Sequence, residues 1–174
     1  MAPPVAPTVP APAPRAEPEP ADQRAAVAEL RARQLAIPVS GIQPGDLRDS
    51  YAERRSGNRV HRALDIPAPR GTPVVAVETG TVMHKFQNAL GGISLYQFDP
   101  SGTYCYYYAH LDGYAPDLDQ GETVERGQVL GYVGSTGNAP DGVPHLHFAI
   151  YSRKNDGFWC RGTPINPYPV FEDR

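Results

Sequence analysis

The stretch GVPHLHFAI, residues 142–150, places two of the chain's five histidines one residue apart at the start of an apolar run. Residues i and i+2 of a β-strand point to the same face, so His145 and His147 would lie side by side, about 7 Å apart. Leu146 and Phe148 would then point to the opposite face, into a core. Two imidazoles on one strand face are either a functional pair or a coincidence, and the other histidines of the chain decide between these readings.

Two further short patterns contain histidine: HRALD contributes His61 and Asp65, and YYYAHL contributes His110. Imidazole and carboxylate groups are common zinc ligands, and a hydrolytic zinc site needs three protein ligands and one open position. His61, Asp65 and one histidine of the HxH pair would make such a set. The two remaining histidines could then take a proton from water and stabilise an oxyanion.

The spacing of His61 and Asp65 sets a condition on this metal site. On a straight strand the two residues would lie about 13 Å apart, too far to share one ion. A helix would make them neighbours, but Pro67 and Pro69 follow directly and disfavour a helix there. A shared metal therefore requires a bend or loop between His61 and Asp65.

The elements that must position these residues are predicted to be short strands. The chain of 174 residues contains 20 prolines and 17 glycines, which argues against a helical bundle. After Gly57, runs such as TPVVAV, GISLYQF, TYCYYYAHL and GQVLGYVG are separated by turns rich in Gly, Pro and Asp. This alternation of short strand-like runs and turns predicts an all-β domain over residues 38–170.

Two segments of different composition precede the predicted domain. Residues 1–21 are rich in proline and alanine, which predicts a disordered linker. Residues 22–37 contain good helix formers, with Asp22 as a candidate N-cap and Pro38 as the stop signal. The apolar face of this helix is thin, which predicts a surface or linker helix.

Charge, hydropathy and cysteine usage limit the function classes. The net charge of -3 provides no basic field for nucleic acid, so no nucleic-acid partner is expected. No apolar run reaches the roughly 18–20 residues of a membrane helix, and no signal-peptide pattern is present, so we expect that a targeting segment is absent from this sequence. Cys105 and Cys160 could form a disulfide or remain two thiols, and the sequence leaves both open.

Five segments, in this order, resemble the lysostaphin-type (LytM-domain) zinc endopeptidases that cut peptidoglycan cross-links: HRALD, YYYAHL, GQVLGYVGSTGN, PHLHFAIY and GTPINP. The resemblance covers about residues 38–168. It implies a mainly β fold, in which an antiparallel sheet of the duplicated hybrid motif type forms an open groove with a metal on its floor. Ala63 stands where the family usually has Gly, which restricts φ without removing a ligand.

The resemblance also implies roles for individual residues. His61, Asp65 and His147 would hold one Zn²⁺ per chain. His145 would be the general base, and His110 would help to hold the water or the oxyanion. The division of roles between His145 and His110 is left open.

The implied function is a zinc-dependent metalloendopeptidase that hydrolyses amide bonds in peptidoglycan stem or cross-link peptides. An alternative of a different class is a catalytically silent regulator that binds the cell wall and activates a partner hydrolase. Such a regulator is expected to lack one or more ligands, whereas all five positions are filled here. A third alternative, a biotinyl or lipoyl carrier suggested by VERGQVLGYVG, requires an exposed hairpin lysine, and neither Lys85 nor Lys154 has that setting.

The substrate implies an extracytoplasmic location, in the periplasm or cell envelope, with a membrane or lipid anchor in the full-length protein. The oligomeric state is not determined by the sequence, and a monomer is the default expectation. Also open are the bond that is cleaved and whether residues 22–51 cover the groove.

Two side-chain questions at the groove depend on the structure. The arginines Arg54, Arg55, Arg59 and Arg62 form either a solvated loop or a rim that meets substrate carboxylates. The tyrosines Tyr104, Tyr106, Tyr107 and Tyr108 are typical of a packed sheet surface; by strand alternation Tyr106 and Tyr108 share the face of His110, so the alternative is that one of them lines the groove.

Overall fold

The computed structural model describes residues 20–153, 160 and 162–172. The predicted disordered linker lies outside these residues, except for its last two positions. The helices and strands are α1 (Ala21–Ala32), β1 (Leu64–Pro67), β2 (Pro73–Val75), β3 (Gly80–Asn88), β4 (Gly92–Phe98), β5 (Tyr104–Tyr114), β6 (Thr123–Val124), β7 (Val129–Val133), β8 (His145–Arg153), β9 (Gly162–Ile165) and α2 (Tyr168–Phe171). The described part of the chain is therefore mainly β, as the sequence predicts.

The nine strands belong to one sheet in which every pairing is antiparallel. The order along the sheet is β1–β8–β5–β4–β3–β6, with β7 pairing both β5 and β2, and β9 pairing β8. The HxH strand β8 thus lies between β1 and β5. The register places Asp65 of β1 and Ala109 of β5 opposite His147, which brings all three histidine patterns to one place in the sheet.

The two faces of β8 differ in the way that strand alternation predicts. Leu146, Phe148 and Ile150 are fully buried in the core. Phe148 contacts Phe171 of α2, with ring centroids 5.9 Å apart. Burying each such side chain contributes about 1.5–3 kcal/mol. This packing holds the opposite face of the strand, with its histidines, in a fixed position.

Helix α1 ends at Ala32, earlier than the sequence prediction of Ala36 or Ile37. The chain leaves the helix because Gln34 has φ of +55°, in the left-handed region. This turn sends Leu35 into the core, where it is fully buried. At the other end, Pro20 takes the N-cap position and Asp22 lies in the first turn, so the predicted N-cap at Asp22 is wrong.

The segment after α1 pairs with the domain. The N–H of Ala36 donates to the carbonyl of Val77 at 2.7 Å, and Val39 forms a β-bridge with Val74. Residues of α1 itself, Val27 and Leu30, are buried against the domain. The helix is therefore a surface helix whose apolar side is part of the core.

A polar network fixes the end of α1 to the sheet. The guanidinium of Arg33 donates to Asp99 at 2.9 Å, to Glu78 at 3.2 Å and to Glu29 at 2.7 Å. The side chain of Asp99 is fully buried and also accepts the backbone N–H of Tyr104 at 2.8 Å. Burial raises the pKa of Asp99, but hydrogen bonds from a serine hydroxyl, this N–H and Arg33 outweigh it and hold the pKa below its usual value.

We expect Asp99→Asn to lower the free energy of unfolding by about 2 kcal/mol at pH 7, because it removes charge-assisted hydrogen bonds from a buried site. A depressed carboxyl pKa stabilises the fold above the unfolded value of about 4, and this stabilisation is lost as pH falls through the folded value. The difference between variant and wild type should therefore shrink below about pH 4. Urea denaturation of both proteins at several pH values measures this difference in the free energy of unfolding. Exposed Asp117→Asn is the control, and a pH-independent difference would contradict the assignment.

A disulfide joins Cys105 of β5 to Cys160, with Cα atoms 5.6 Å apart. It ties the centre of the sheet to the segment that precedes β9. Disulfides persist mainly in oxidising compartments. In the described part of the chain, no helix has the length and hydropathy needed to cross a membrane.

Candidate active site

A groove with a volume of about 680 Å³ lies on the face of the sheet opposite the core. Strands β1, β4, β5 and β8 contribute to its floor, and its walls come from residues 48–60, the turn at 88–91 and the loop at 138–143. All five predicted site residues line it: His61, Asp65, His110, His145 and His147. The fifth histidine, His84, does not line the groove and contacts Phe86 and Gln120 on β3 and a nearby loop.

The bend required between His61 and Asp65 is present. Arg62 has φ of +58°, so the chain turns sharply just before β1 begins. The backbone N–H of His61 donates to the carbonyl of Glu53 at 2.9 Å, and that of Arg62 donates to Tyr51 at the same distance. As a result, Nε2 of His61 lies 3.0 Å from Oδ1 of Asp65.

Three donor atoms converge on one point of the groove floor. Nδ1 of His147 lies 3.0 Å from Nε2 of His61 and 3.2 Å from Oδ1 of Asp65. A tetrahedral zinc site with bonds of about 2.0–2.1 Å has ligand atoms about 3.3 Å apart. The triangle of two nitrogens and one carboxylate oxygen therefore fits zinc in both donor chemistry and size.

The ligand side chains are oriented by groups behind them. Nδ1 of His61 donates to the backbone carbonyl of Ser50 at 2.8 Å, which leaves Nε2 free to bind a metal. Ser50 Oγ accepts the backbone N–H of Asp65 at 2.9 Å, and Arg55 donates to Oδ2 of Asp65 at 2.6 Å. Burial acts to raise the pKa of Asp65, but the contacts of its carboxylate with His147 and His61 outweigh burial and hold the pKa well below its usual value, so the carboxylate is ionised.

The sequence alone does not mark these supporting residues. Arg55 stands out only as a member of an arginine cluster, and nothing marks Ser50, because its partners His61 and Asp65 lie 11 and 15 residues away.

Arg55→Ala is expected to weaken zinc binding by about tenfold, because partners that hold a ligand usually contribute 10–100-fold in metal affinity. The variant leaves Oδ2 of Asp65 without its cation, so the carboxylate is no longer held with Oδ1 towards the other ligands. Competition with a zinc chelator measures the affinity directly. Arg54→Ala is the matched control, because Arg54 is exposed and does not line the groove. Unchanged affinity in Arg55→Ala would show that Asp65 needs no such support.

His145 lies beside the triangle but outside it, with Nε2 3.9 Å from Oδ1 of Asp65. Its Nδ1 donates to the carbonyl of Val143 at 2.9 Å. In that tautomer Nε2 carries a lone pair and faces the triangle. His145 is therefore placed to accept a proton from a group held there.

His110 has the same type of orientation. Its Nδ1 donates to the carbonyl of Thr136 at 2.8 Å, and its ring centroid lies 4.9 Å from that of His145. Burial lowers the pKa of His110 to about 4, so the ring is neutral at pH 7 and its Nε2 is an acceptor. His110 can thus orient the O–H of a water, and it can donate to an oxyanion only after gaining a proton.

A β-bulge turns His110 towards the groove. His110 has φ of +61°, and the pairing of β5 with β4 shifts register between Tyr108 and Leu111. The shift breaks strand alternation, so Tyr106 and Tyr108 do not share the face of His110: both are fully buried in the core, as the packed interpretation expects, and the alternative that one of them lines the groove is wrong. The tyrosine of β5 that lines the groove is Tyr107.

Close backbone contact between two glycine-containing turns fixes the carbonyl that orients His110. A Cβ on Gly92 would lie 2.2 Å from Oγ1 of Thr136, and a Cβ on Gly137 would lie 2.3 Å from the nitrogen of Gly92. The hydroxyl of Thr136 accepts the N–H of Ile93 at 3.0 Å. This contact explains why the turns NALGG and GSTGN need glycine at these positions.

Residues 22–51, as far as the structure describes the chain, leave the groove open. The side chains of Asp65 and His147 keep about a fifth of their surface exposed, 20% and 21%. Arg48 lines one wall, and Ser50 lies behind His61. The segment therefore supports the site and does not seal it.

Comparison with known proteins gives concordant matches. The model of Peptidase family M23 matches residues 59–167. An L-Ala–D-Glu endopeptidase of Bacillus subtilis is 37% identical over 129 residues, which cover 70% of this chain and 38% of that protein. The chain thus spans well under half of the length of this relative.

Two solved structures are similar to the fold. The catalytic domain of the antimicrobial peptidase lysostaphin from Staphylococcus simulans has a TM-score of 0.61 and 25% identity, covering 74% of this chain and 94% of that one. A zinc-containing peptidase from Vibrio cholerae has a TM-score of 0.56 and 26% identity, covering 72% of this chain and 35% of that one.

Proposed function

Because the chain belongs to peptidase family M23, we propose that it is a zinc-dependent endopeptidase that hydrolyses amide bonds in the stem or cross-link peptides of peptidoglycan. The observation that carries the zinc dependence is the triangle of His61 Nε2, Asp65 Oδ1 and His147 Nδ1, with sides of 3.0–3.2 Å. The relatives' names support the substrate class, since the Bacillus protein is an L-Ala–D-Glu endopeptidase.

His61, Asp65 and His147 would hold the ion on the floor of the groove. Zinc supplies a Lewis acid that polarises the scissile carbonyl and acidifies water. Asp65 contributes the negative charge of the ligand set, which the Arg55 ion pair holds in place.

The other two histidines act on protons. Nε2 of His145, the acceptor nitrogen of the ring when Nδ1 donates to Val143, takes a proton from the attacking water and can pass it to the departing amine. Nε2 of His110 accepts a hydrogen bond from the same water and orients it. If the attacking water gave its proton to Nε2 of His110 instead of His145, the resulting Nε2–H would donate to the oxyanion of the tetrahedral intermediate.

We also propose an extracytoplasmic location, because peptidoglycan lies outside the cytoplasm and the Cys105–Cys160 disulfide is typical of an oxidising compartment.

The proposal is tested with the protein as purified, after zinc loading, and after zinc removal by a chelator. Metal content is measured, purified peptidoglycan is digested, and the products are identified by mass spectrometry. We expect peptide fragments only with bound zinc, and recovery when zinc is restored. A zinc-loaded protein that binds the cell wall, releases nothing and stimulates a separate hydrolase would establish the regulator alternative instead.

A further inference from the structure

The groove wall formed by residues 48–60 is rich in positive charge. Arg48, Arg55 and Arg59 line the groove from this wall, and Glu53 is its acidic residue there. Apart from these side chains and Asp65, no charged residue of the described chain lines the groove. The chain as a whole carries a net charge of -3. The net charge of this groove wall is therefore positive, whereas the net charge of the whole chain is negative.

Two of the three arginines are already paired. Arg48 contacts Glu53 at 2.7 Å, and Arg55 contacts Asp65 at 2.6 Å and Glu53 at 3.3 Å. Arg59 donates through Nε to the carbonyl of Ser56 at 3.4 Å. Among the described residues, its two terminal amino groups have no carboxylate partner. Arg59 thus presents the planar pair of donors that binds a carboxylate through two parallel hydrogen bonds.

Exposed apolar side chains surround the same groove. The large exposed hydrophobic residues of the described chain are Val60, Leu90 and Val143, with 40%, 57% and 52% of their surface exposed. All three line the groove, and each comes from a different wall. A peptide in this groove would meet apolar side chains near the histidines and a cation on one wall.

We propose that Arg59 binds a substrate carboxylate, so that the groove selects a peptide carrying a free carboxylate and a small apolar residue close to the scissile bond. This inference rests on the proposed function, and it names a substrate class within it: anionic stem peptides instead of uncharged bridges. Val60, Leu90 and Val143 would contact the apolar residue. Arg59 acts in specificity and takes no part in proton transfer.

The test uses two synthetic stem pentapeptides whose C-terminal carboxylates are both amidated: L-Ala–γ-D-Glu–L-Lys–D-Ala–D-Ala, and the same peptide with the free D-Glu carboxylate converted to a carboxamide. We expect the zinc-loaded wild type to cleave the carboxylate peptide with a kcat/KM about tenfold higher than that of the amide peptide, which is typical of one charge-assisted pair. Arg59→Gln should abolish this preference by slowing only the carboxylate peptide. Arg54→Gln, on the same loop but outside the groove, should keep it.

Binding of the two peptides, measured by calorimetry in a zinc-loaded His145→Ala background with and without Arg59→Gln, separates this inference from the proposed function. An Arg59-dependent preference in binding, without hydrolysis of peptide or peptidoglycan by the wild type, would sustain the inference and overturn the proposed function. If the wild type hydrolyses and binds both peptides with no preference for the carboxylate, the proposed function stands and this inference is overturned. Equal losses on both peptides in Arg59→Gln, or the same loss in Arg54→Gln, would also overturn the inference.

Discussion

His147→Ala is expected to lose bound zinc and with it the peptidoglycan-cleaving activity. The substitution removes one corner of the triangle and leaves only His61 and Asp65 as protein donors. Loss of a residue that only orients a metal ligand already lowers metal affinity by about 10–100-fold, so loss of a direct ligand should weaken binding by more than about 100-fold. Metal analysis after dialysis and digestion of purified peptidoglycan measure the two effects separately.

The matched control is His84→Ala, which removes a half-buried histidine of β3 that lies outside the groove. Its zinc content and activity should equal those of the wild type. Because His147 is part of the sheet, circular dichroism must show that the variant is folded. A folded His147→Ala protein that keeps one zinc ion per chain would refute the ligand assignment.

The second large effect is expected for His145→Ala, which should keep zinc and lose catalysis. His145 Nε2 lies beside the ligand triangle and not in it, 3.9 Å from Asp65 Oδ1. Removing a general base usually slows a reaction by about 100- to 10,000-fold. Zinc affinity should change little, so the ratio of activity to bound zinc falls. This pattern differs from that of His147→Ala, in which both quantities fall together.

His110→Ala provides the comparison for this assignment. Both histidines donate through Nδ1 to a carbonyl and present Nε2 to the same space, so the geometry alone allows either to accept the proton. A larger loss of kcat in His110→Ala than in His145→Ala would reverse the two roles. Loss of zinc in His145→Ala would instead place His145 among the ligands.

Much of the candidate site could be predicted from the sequence because strand alternation is a local property. The HxH spacing on one strand places His145 and His147 on the face opposite Leu146 and Phe148, and the structure has this arrangement. The need for a bend between His61 and Asp65 followed from the length of a strand, and the left-handed Arg62 provides it.

The parts that could not be predicted depend on contacts between distant residues. Alternation failed at His110, because the bulge there results from packing against the Gly91–Gly92 turn, and not from the sequence of β5. The early end of α1 depends on burial of Leu35 by the sheet. The disulfide was undecided because the sequence does not reveal that the Cα atoms of Cys105 and Cys160 come within 5.6 Å.

The position of Ser50 has a practical consequence for anyone who shortens this protein. The match to the family model begins at residue 59, yet the carbonyl that orients His61 and the hydroxyl that holds Asp65 both belong to Ser50. A fragment that starts at residue 59 would keep every candidate ligand but would lack Ser50, which orients His61 and Asp65. A fragment that keeps the whole candidate site should therefore start upstream of Ser50, and weak metal binding by a shorter piece would reflect where it was cut.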